Sequence, residues 1–518
     1  MARRGRAMGK GRLRKEANAT FEQLPFQNLK ISYQPYNIIS DDQVEAIHNA
    51  SMEVLETIGI NFLLDEARDI LKDAGADVRD GETRVRFDRH MVEELVTKAP
   101  SEFTMYARNP AHNIHYGGNN MNFALVASPP NASDMIGGRR PGNFEDFCNF
   151  VRLGQSLNIV HHIGGYPVEP ADLPANIRHL KAESEVIKIS DKVGFGYSLG
   201  RDRIHDSMEM IRIGRGVSWD QMTAEPSIMT TVNANSPLQY DIPMLIGMIE
   251  MAKLGQPVSV TPFTLSGAMA PVTLAGALAQ QNAEALAGIS FIQAVNPGSP
   301  VWYGGFTSNV DMKTGAPAFG TPEYAKAVLI GGQLTRRYDV PYRSSNVNAS
   351  NAPDVQSAYE SQMSIWPCML AHCNLVKHAL GWIEGGLCAS FEKVIIDAEM
   401  LQMMAEMLKP VEFNDAEFGI SAMEEVGPGG HYFGCAHTME RYETAFYSPM
   451  LSDWRNFETW EESGSQDATT RAHHIYKQLL TDFEPPALDP SIEEELNEYV
   501  ERRIAEGGQD PNSYGENQ

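Results

Sequence analysis

The alternation of short β-rich runs with helical stretches from about residue 120 onwards constrains the fold of this chain more than any other feature. The candidate strands are residues 123–127, 159–164, 193–197, 227–232, 258–262, 301–306, 341–345 and 374–378. Helical patterns lie between them at residues 202–213, 243–254, 273–295, 322–338 and 354–369. Eight strand-then-helix units in succession predict an α/β fold, a (β/α)8 TIM barrel over residues 119–410. A doubly wound sheet is the second choice because it needs fewer strands, and residues 382–389 are an alternative eighth strand.

The segments on either side of the barrel differ from it in pattern. Residues 36–118 are predicted to form an N-terminal α+β cap, because Ser40 and Gln43 match a capping box and Asp80-Gly81 is typical of a hairpin turn. Residues 411–506 are predicted to form a C-terminal helical extension. We expect residues 1–35 to be a disordered basic arm and residues 507–518 to be a disordered tail. The arm is rich in Lys and Arg, so it could instead bind nucleic acid or an acidic protein surface.

The charge and composition exclude several classes of partner. The 518 residues include 42 Lys and Arg against 67 Asp and Glu, a formal net charge of −25, so the body of the protein should not bind nucleic acid. No run approaches the roughly 18–20 apolar residues of a membrane span, so we expect no membrane association. Five cysteines are too few for a disulfide framework in a chain of this length. We therefore predict a cytoplasmic protein.

Motifs for common cofactors and metals are missing from the sequence. There is no G-x-G-x-x-G after a strand, no P-loop, no H-E-x-x-H and no paired C-x-x-C. Cys368, His372 and Cys373 form the nearest metal-like pattern, since zinc accepts sulfur and nitrogen ligands. Cysteine is often buried in protein cores, however, so core packing is the favoured interpretation of this set and of His161-His162. We expect no metal site and no tightly bound cofactor.

Aromatic and polar side chains stand where the predicted strands end, which is where TIM barrels carry their active sites. The aromatic ones are Phe195, Tyr197, Phe263, Trp302, Tyr303, Phe306 and Trp382. Aromatic faces attract cations, including quaternary ammonium groups, although each ring could also be core packing. The polar ones follow the seventh and eighth predicted strands and are Arg343, Asn346, Asn348, Asn351, Asp354, Gln356, His378 and Glu384.

Arg343 is the most informative of these polar residues. A guanidinium in the wall of a barrel needs an anionic partner, either an Asp or Glu side chain or a substrate carboxylate. Asp354 could simply cap the following helix, and His378 could be a hydrogen-bonded core histidine. No nucleophile and base have a recognisable catalytic spacing. A mouth of this composition is suited to binding a small zwitterion while another agent performs the bond-making.

Short motifs in a fixed order give the chain a resemblance to a known family over residues 36–503. In the first part they are SMEVLETIG from Ser51, YARNP from Tyr106 and GRR from Gly138. Further along they are PVTLAG from Pro271, NAEALAG from Asn282, DVQ from Asp354, SFEK from Ser390, DAE from Asp397, HT from His437 and WEESG from Trp460. Taken together, their order and spacing resemble the trimethylamine methyltransferase family of corrinoid-dependent amine methyltransferases.

The resemblance implies a TIM barrel that presents a methylated amine to a reduced corrinoid (cobalamin) carried by a separate, cognate corrinoid protein. Founding members use pyrrolysine in the loop after the seventh strand, whereas residues 346–354 here are all standard amino acids. The chain is therefore more similar to the branch without pyrrolysine, which resembles glycine betaine:corrinoid methyltransferases and acts on quaternary amines. A quaternary nitrogen is already a cationic leaving group, so its methyl can pass to a strong nucleophile without acid activation. The D-x-H-x-x-G signature of corrinoid-binding domains is missing.

The predicted substrate-binding residues follow from this resemblance and from their positions at strand ends. They are Tyr303, Phe306, Arg343, Asn348, Asn351, Asp354, Gln356, His378, Trp382 and Glu384. Arg343 would hold the substrate carboxylate, the aromatic members would face the ammonium group, and the amides and His378 would orient the rest. His378 is the candidate catalytic residue.

Other functions stay open on the sequence alone. The barrel could carry a different chemistry such as a lyase reaction, or it could demethylate trimethylamine without pyrrolysine. It could also be a betaine-binding or scaffold protein without turnover. The sequence does not identify the betaine. We expect a homo-oligomer, since the acidic helices and the apolar-rich C-terminal segment permit a dimer or a trimer.

Overall fold

The computed structural model describes residues 23–510 and Ser513. In this part of the chain, eight strands form one curled sheet, and we label them β1 (Leu29–Lys30), β2 (Asn120–Leu125), β3 (Gly194–Phe195), β4 (Ile228–Val232), β5 (Val258–Val260), β6 (Val301–Gly304), β7 (Tyr342–Ser345) and β8 (Leu375–Leu380). Their order across the sheet is β1-β2-β8-β7-β6-β5-β4-β3. Strands β2 to β8 pair in parallel, whereas β1 pairs antiparallel with β2. The protein therefore has a mixed α/β fold built around a curled parallel sheet.

Seven of the eight predicted strands overlap the observed strands β2 to β8, and the exception is the second predicted strand. Residues 159–164 form only single-residue bridges, in which His162 pairs in parallel with both Ala124 and Val193. Gly164 and Gly165 follow at once, and Gly165 has a φ of 153°, so the backbone turns away after one pair. The alternative eighth strand, residues 382–389, lies outside the curled sheet. It supplies Trp382–Ile383 and Cys388–Ser390 to a separate sheet that also contains Asn131–Asp134 and Gly138–Pro141.

The helices predicted between the strands are confirmed with small shifts at their ends, as Arg201–Arg215, Ile242–Lys253, Leu274–Val295, Pro322–Tyr338 and Val355–Leu370. The sequence analysis missed the helices Phe144–Ser156, Arg178–Ile189, Trp219–Ala224 and Phe391–Met407. The last of these is buried along almost its whole length, from Phe391 to Ala405. A helix buried on all sides has no apolar stripe, and so its sequence lacks the helical period that would reveal it.

The cap contains the helices Asp41–Glu53, Asp65–Asp73 and Arg89–Val96, and a sheet in the order Gln239–Tyr240, Ile60–Phe62, Arg84–Arg86, Asp77–Val78. The predicted capping box is present, because Gln43 N donates to Ser40 Oγ and Ser40 N donates to the Gln43 side chain. The hairpin predicted at Asp80-Gly81 is also present. Smaller elements are the hairpin Glu102–Met105 with Ile114–Gly117, the strands Leu265–Ser266, Ser308–Val310 and Pro317–Ala318, and the single turns Val54–Ile58, Pro110–His112 and Glu384–Gly386.

The C-terminal extension consists of the helices Asp415–Phe418, Ile420–Val426, Ala436–Arg441, Phe457–Glu462, Ala468–Thr481 and Pro490–Ala505. Buried Glu399 fixes it to the body, since its Oε2 accepts from Met450 N at 2.9 Å and Leu451 N at 3.0 Å. The last helix packs on Arg178–Ile189 and Arg201–Arg215 through Leu496 and Val500. Within the described residues, every helix falls short of the length or the apolar character that a membrane crossing requires.

Both ends of the chain were expected to be disordered, but the parts of them that the structure describes are packed against the body. Residues 1–22, 511–512 and 514–518 lie outside the described residues. The prediction is wrong for residues 23–35, because Leu29 and Ile31 are buried and Leu24 N donates to Gln402 Oε1 at 2.9 Å. It is also wrong around Gln509, which is buried and donates its backbone N–H to Asn176 O at 2.8 Å.

Candidate functional site

A cavity of about 670 Å³ lies at the carboxyl ends of the parallel strands. This volume is typical of a small-molecule site. The aromatic, charged and polar residues that line it are Ser128, Tyr166, Glu169, Arg178, His179, Glu183, Phe195, Tyr197, Arg203, Thr230, Thr231, Asn233, Thr261, Phe263, Phe306, Arg343, Lys377, His378 and Trp382. The lining divides into a basic wall around Arg343 and Lys377 and an aromatic wall, on which Glu169 lies beside Arg178 and Glu183 beside Arg203.

Arg343 on β7 is the main feature of the basic wall. Its side chain is 2% exposed, and its Cζ lies 5.6 Å from the centre of the Phe306 ring. Among the residues that the structure describes, neither Nε nor Nη1 has a hydrogen-bond partner. Burial lowers the pKa of the guanidinium to about 10. Unpaired buried donors are costly, so this arrangement is suited to an anionic ligand that is not part of the chain.

Lys377 and His378 on β8 extend the basic wall. Lys377 Nζ donates to Thr231 Oγ1 at 3.0 Å, and burial together with the nearby Arg343 charge lowers its pKa to about 7. Burial, with the charges of Arg343 and Lys377, holds the pKa of His378 well below its ordinary value, so the imidazole is neutral. His378 also has a φ of 54°, in the left-handed region that non-glycine residues seldom occupy outside turns and functional sites.

The opposite wall contains three aromatic rings in mutual contact. Tyr166 meets Tyr197 at 4.7 Å between ring centres and 86° between planes. Phe195 lies 5.7 Å from each of the two tyrosine rings, at 77° and 73°. The Tyr197 hydroxyl accepts from Tyr166 N at 2.8 Å, which fixes the corner between the two rings. We call Tyr166, Phe195 and Tyr197 the aromatic corner.

Two side chains of the helix Arg178–Ile189 face the cavity beside the aromatic corner. His179 and Glu183 are one helical turn apart, and both are buried. His179 Nε2 is hydrogen-bonded to Asp206 Oδ2 at 2.8 Å. The carboxylate oxygens of Glu183 have no well-formed hydrogen bond in the described part of the chain, although the nearby Ser207 hydroxyl lowers its pKa. Burial raises the pKa of Glu183 to about 8.

Four of the predicted site residues line the cavity, namely Phe306, Arg343, His378 and Trp382. Tyr303 does not, because its side chain turns outward to the helix Leu274–Val295, where its hydroxyl donates to Asn282 Oδ1 at 3.0 Å. The reason is the alternation of side chains along β6, which places Tyr303 on the face opposite to the cavity. Trp382 stacks on His378 with 5.6 Å between ring centres.

The structure places the other predicted residues in packing roles around the loop after β7. Asn348 is buried and donates to Ser357 O and Ser361 Oγ, both at 3.1 Å. Asp354 caps the helix Val355–Leu370, the alternative that the sequence had left open. Gln356 bonds to Glu360 on that helix at 2.8 Å, and Asn351 is exposed. Glu384 accepts from Arg139 Nε at 2.8 Å and so lies outside the cavity lining.

Sequence reasoning missed Lys377, Tyr166, His179 and Glu183 in the cavity lining. Lys377 and His378 are neighbours in a strand and should point to opposite faces, but β8 changes register between Val376 and Leu380. Both side chains therefore reach the cavity. The other three lie in the segment after the irregular second strand, and Glu183 belongs to a helix that was not predicted. The sequence signal that could have found Glu183 is an acidic residue on the buried, mostly apolar face of its helix.

The histidine and cysteine patterns of the sequence have separate partners in the structure. His161 Nε2 bonds to Gln27 O at 3.0 Å and His161 Nδ1 accepts from Phe123 N at 2.9 Å. His372 Nδ1 bonds to Asn119 Oδ1 at 3.0 Å, whereas Cys373 Sγ accepts from Ser344 N at 3.1 Å. No group of three or more His, Cys, Asp or Glu within residues 23–510 could hold a metal ion.

Comparison with known proteins identifies the family. A family model described as trimethylamine methyltransferase (MTTB) matches residues 3–508. The chain belongs to the trimethylamine methyltransferase family. This match confirms the resemblance that the sequence motifs indicated.

Individual proteins match along almost the whole chain. The glycine betaine methyltransferase of Desulfitobacterium hafniense (strain Y51) is 37% identical over 476 residues, which cover 92% of this chain and 98% of that protein. The trimethylamine methyltransferase MttB of Desulfitobacterium hafniense (strain DSM 10664 / DCB-2) is 27% identical over 475 residues, or 90% and 94% of the two chains. The crystal structure of Methanosarcina barkeri monomethylamine methyltransferase (MtmB) matches 88% of this chain and 90% of that chain, with 10% sequence identity and a TM-score of 0.48.

Proposed function

We propose that this protein transfers a methyl group from a quaternary amine that carries a carboxylate, of the glycine betaine kind, to the reduced cobalt of a separate corrinoid protein. The observation that carries the proposal is Arg343. Its buried guanidinium lines the cavity, and within the described residues no acidic side chain forms an ion pair with it. The 37% identity to a glycine betaine methyltransferase supports the same substrate class.

The basic wall would bind the substrate carboxylate. Arg343 can donate from two nitrogens in parallel to one carboxylate, the geometry in which guanidinium groups bind such anions most strongly. Lys377 adds a second positive charge, and His378 adds a neutral imidazole held in place by Trp382. An anion between these groups would offset the unfavourable burial that lowers the pKa values of Arg343 and Lys377.

The protein's part in the reaction would be to orient one N-methyl group and to exclude water. A quaternary nitrogen leaves as a neutral amine, so the transfer of the methyl carbon from nitrogen to cobalt(I) needs no acid on this chain. The corrinoid, a co-substrate on its own protein, would supply the nucleophile. His378 stays the candidate for a catalytic role because it lies beside the carboxylate-binding groups.

Two features favour a betaine over trimethylamine. Trimethylamine has no carboxylate, so it would leave Arg343 unpaired. The loop after β7 contains only standard residues, and Asn348 ties it to the helix Val355–Leu370 through two hydrogen bonds. In this proposal the loop is a packing element, and Asn351, Asp354, Gln356 and Glu384 support the wall rather than contact the substrate.

We also propose that the curled sheet is a closed (β/α)8 barrel over residues 119–410, between the cap at 36–118 and the extension at 411–506. The bridges from His162 to Ala124 and to Val193 support closure, because they link β2 to the start of β3. A homo-oligomer is supported by the exposed rings of Phe413, Phe433 and Phe446 in the extension. The buried, unpaired cysteines support the cytoplasm as its compartment.

The test is to mix the purified protein with cob(I)alamin and glycine betaine, and to follow both the loss of cobalt(I) absorbance and the formation of dimethylglycine. Choline and trimethylamine serve as substrates without a carboxylate. We expect turnover with glycine betaine and much slower turnover with the other two. Thermal stabilisation by betaines without any demethylated product would replace the proposal with the binding or scaffold alternative. Faster turnover of trimethylamine would overturn the substrate class.

A further inference from the structure

The aromatic rings of the basic wall are poorly placed to receive a quaternary ammonium group. The guanidinium of Arg343 already lies over the face of Phe306, at 5.6 Å from the ring centre. Trp382 stacks on His378 at 23° between planes, and His378 is the neighbour of Lys377 in the chain. A cationic substrate group on Phe306 would face the charged Arg343, where like charges repel in a poorly solvated site, and one face of the Trp382 ring is covered by His378. The ammonium group needs a different part of the cavity.

No Lys or Arg of the described residues lies over a ring face of the aromatic corner, although the charge of Arg203 acts on Tyr166 from nearby. Tyr166, Phe195 and Tyr197 meet at 73° to 86°, so their faces and edges enclose a concave corner rather than a flat stack. Quaternary ammonium groups are bound in proteins by aromatic rings set at large angles to each other. All three residues line the cavity.

Glu183 supplies the negative charge that this corner lacks. It is 4% exposed and lines the cavity. Its carboxylate oxygens have no well-formed hydrogen bond in the part of the chain that the structure describes, although the nearby Ser207 hydroxyl lowers its pKa. A buried carboxyl group with so little hydrogen bonding is unfavourable unless it serves a ligand. The charged and titratable groups that face it are His179 on its own helix, Arg203 and Asp206 on the helix Arg201–Arg215, and Tyr166, Glu169 and Tyr197 in the aromatic wall.

Gly164 and Gly165 bring the two walls within reach of one small molecule. A Cβ atom on Gly164 would lie 3.3 Å from Lys377 Cε, and a Cβ atom on Gly165 would lie 3.1 Å from the Tyr197 hydroxyl. Consecutive Cα atoms are about 3.8 Å apart, so Lys377 Cε and the Tyr197 hydroxyl are at most roughly 13 Å apart. A short betaine with its hydrogen bonds and ring contacts spans about this distance.

We propose that Glu183 and the aromatic corner form the ammonium subsite of this cavity, with the Glu183 carboxylate as the counter-ion of the quaternary nitrogen. The inference rests on the proposed function for the class of substrate. It makes Glu183 and Arg343 the two poles of one zwitterion site, and it moves the ammonium group away from Phe306 and Trp382.

The charge states of the empty cavity agree with this arrangement. Burial raises the pKa of Glu183 to about 8 and, with the Arg343 charge, lowers the pKa of Lys377 to about 7. Between these values both groups are largely neutral in the unliganded protein. A bound zwitterion would lower the pKa of Glu183 and raise that of Lys377. Binding would then move a proton from one wall to the other with little net exchange with solvent.

The decisive experiment compares glycine betaine with 3,3-dimethylbutyrate, which has the same shape and carboxylate but carbon in place of the charged nitrogen. Calorimetry at pH 8.5 should show that the wild-type protein binds glycine betaine roughly 100-fold more tightly than the isostere. In Glu183→Gln this ratio should fall by about tenfold or more, with the affinity for 3,3-dimethylbutyrate unchanged. Phe195→Leu should lower the ratio in the same direction. Glu209→Gln is the matched control, since its carboxylate is paired with Arg212 and lies outside the cavity lining; it should leave the ratio unchanged.

A second readout uses tetramethylammonium, the cation alone. Below pH 8 its Kd should rise about tenfold for each unit by which the pH is lowered, because Glu183 must lose a proton to become the counter-ion, and the Kd should be independent of pH in Glu183→Gln. An unchanged betaine preference in correctly folded Glu183→Gln and Phe195→Leu would overturn the subsite. Binding of both carboxylates with the expected preference, but no demethylation by cob(I)alamin, would instead overturn the proposed function and keep the subsite.

Discussion

Replacing Arg343 by methionine should weaken betaine binding and, at the same time, stabilise the unliganded protein. The guanidinium is 2% exposed and, among the described residues, has no partner at Nε or Nη1. Its loss therefore removes an unfavourable buried charge from the free protein and a favourable pair from the complex. Replacing a residue that only supports the fold would lower both the stability of the protein and its affinity for betaine.

The two effects have different magnitudes. Burial lowers the pKa of Arg343 to about 10, which corresponds to roughly 3 kcal/mol of unfavourable charge burial. Methionine keeps most of the apolar volume but loses the contact with the Phe306 ring, worth about 1 kcal/mol. We expect the free energy of unfolding to rise by about 1–2 kcal/mol. The loss of two charge-assisted hydrogen bonds should raise the Kd for glycine betaine by roughly 100-fold or more.

Calorimetry with glycine betaine and thermal melting at pH 7 measure the two quantities. Arg343→Lys keeps the charge without the two-pronged geometry and should recover only part of the affinity. Arg336→Met is the structural control, because Arg336 Nη1 donates to Ala371 O at 2.9 Å and Nη2 to Asn37 Oδ1 at 2.7 Å. It should lower the melting temperature and leave the affinity unchanged. A clearly lower melting temperature of Arg343→Met, or an unchanged Kd, would refute the assignment of Arg343 to the substrate.

Three further predictions concern stability and the margins of the site. Asp397→Asn should destabilise the protein by about 3–5 kcal/mol in thermal melting, because it leaves the buried Lys393 ammonium without its counter-ion, and a small effect would mean that water reaches this pair. Lys377→Met should be more stable than the wild type at pH 6, where burial disfavours the charged lysine. This gain in stability should shrink by roughly 2 kcal/mol towards pH 9, above the lysine pKa of about 7. A gain that is constant with pH would contradict the lowered pKa of Lys377. Tyr303→Phe should cost about 1 kcal/mol of stability through the lost bond to Asn282 and leave the Kd for glycine betaine unchanged, whereas a large rise in Kd would return Tyr303 to the binding site.

The sheet could be predicted from the sequence because parallel strands are short apolar runs at regular spacing. Most of these runs are rich in apolar residues, for example Ile228–Val232 with its buried pattern, whereas β7 is buried but reads Tyr-Arg-Ser-Ser. The second run failed because only one of its residues pairs with each neighbour before Gly164. No local pattern distinguishes a strand of several residues from a single bridge.

The cavity was predictable only where strand ends determine it. Arg343 and His378 follow from their strand positions, but Lys377 reaches the cavity through an irregular β8 in which His378 takes a φ of 54°. Glu183 depends on how a helix packs against the strand ends, which is long-range information. Asn348 and Asp354 misled the prediction because a polar residue that caps a helix or ties a loop looks, in sequence, like one that binds a ligand.

The motifs that carry the family resemblance hold the scaffold together instead of lining the cavity. Glu284 accepts from Ser236 Oγ at 2.6 Å and from Leu238 N at 2.8 Å, and Glu399 fixes the C-terminal extension. Asp397 accepts from Gly381 N at 2.9 Å beside Trp382. Such buried carboxylates are unfavourable without their partners, so they report the fold and not the substrate.

The substrate class therefore depends on the few charged groups of the cavity. Relatives named for glycine betaine and for trimethylamine both align with at least 90% of this chain, so the shared scaffold does not separate the two. In the proposed function Arg343 separates them, because a substrate without an anionic group leaves its donors unpaired, at a cost of about 1–3 kcal/mol each. In the proposed subsite, Glu183 adds the complementary requirement for a cation. We expect these two groups to favour a zwitterion over a simple amine or a simple acid, with no further residue from the motifs.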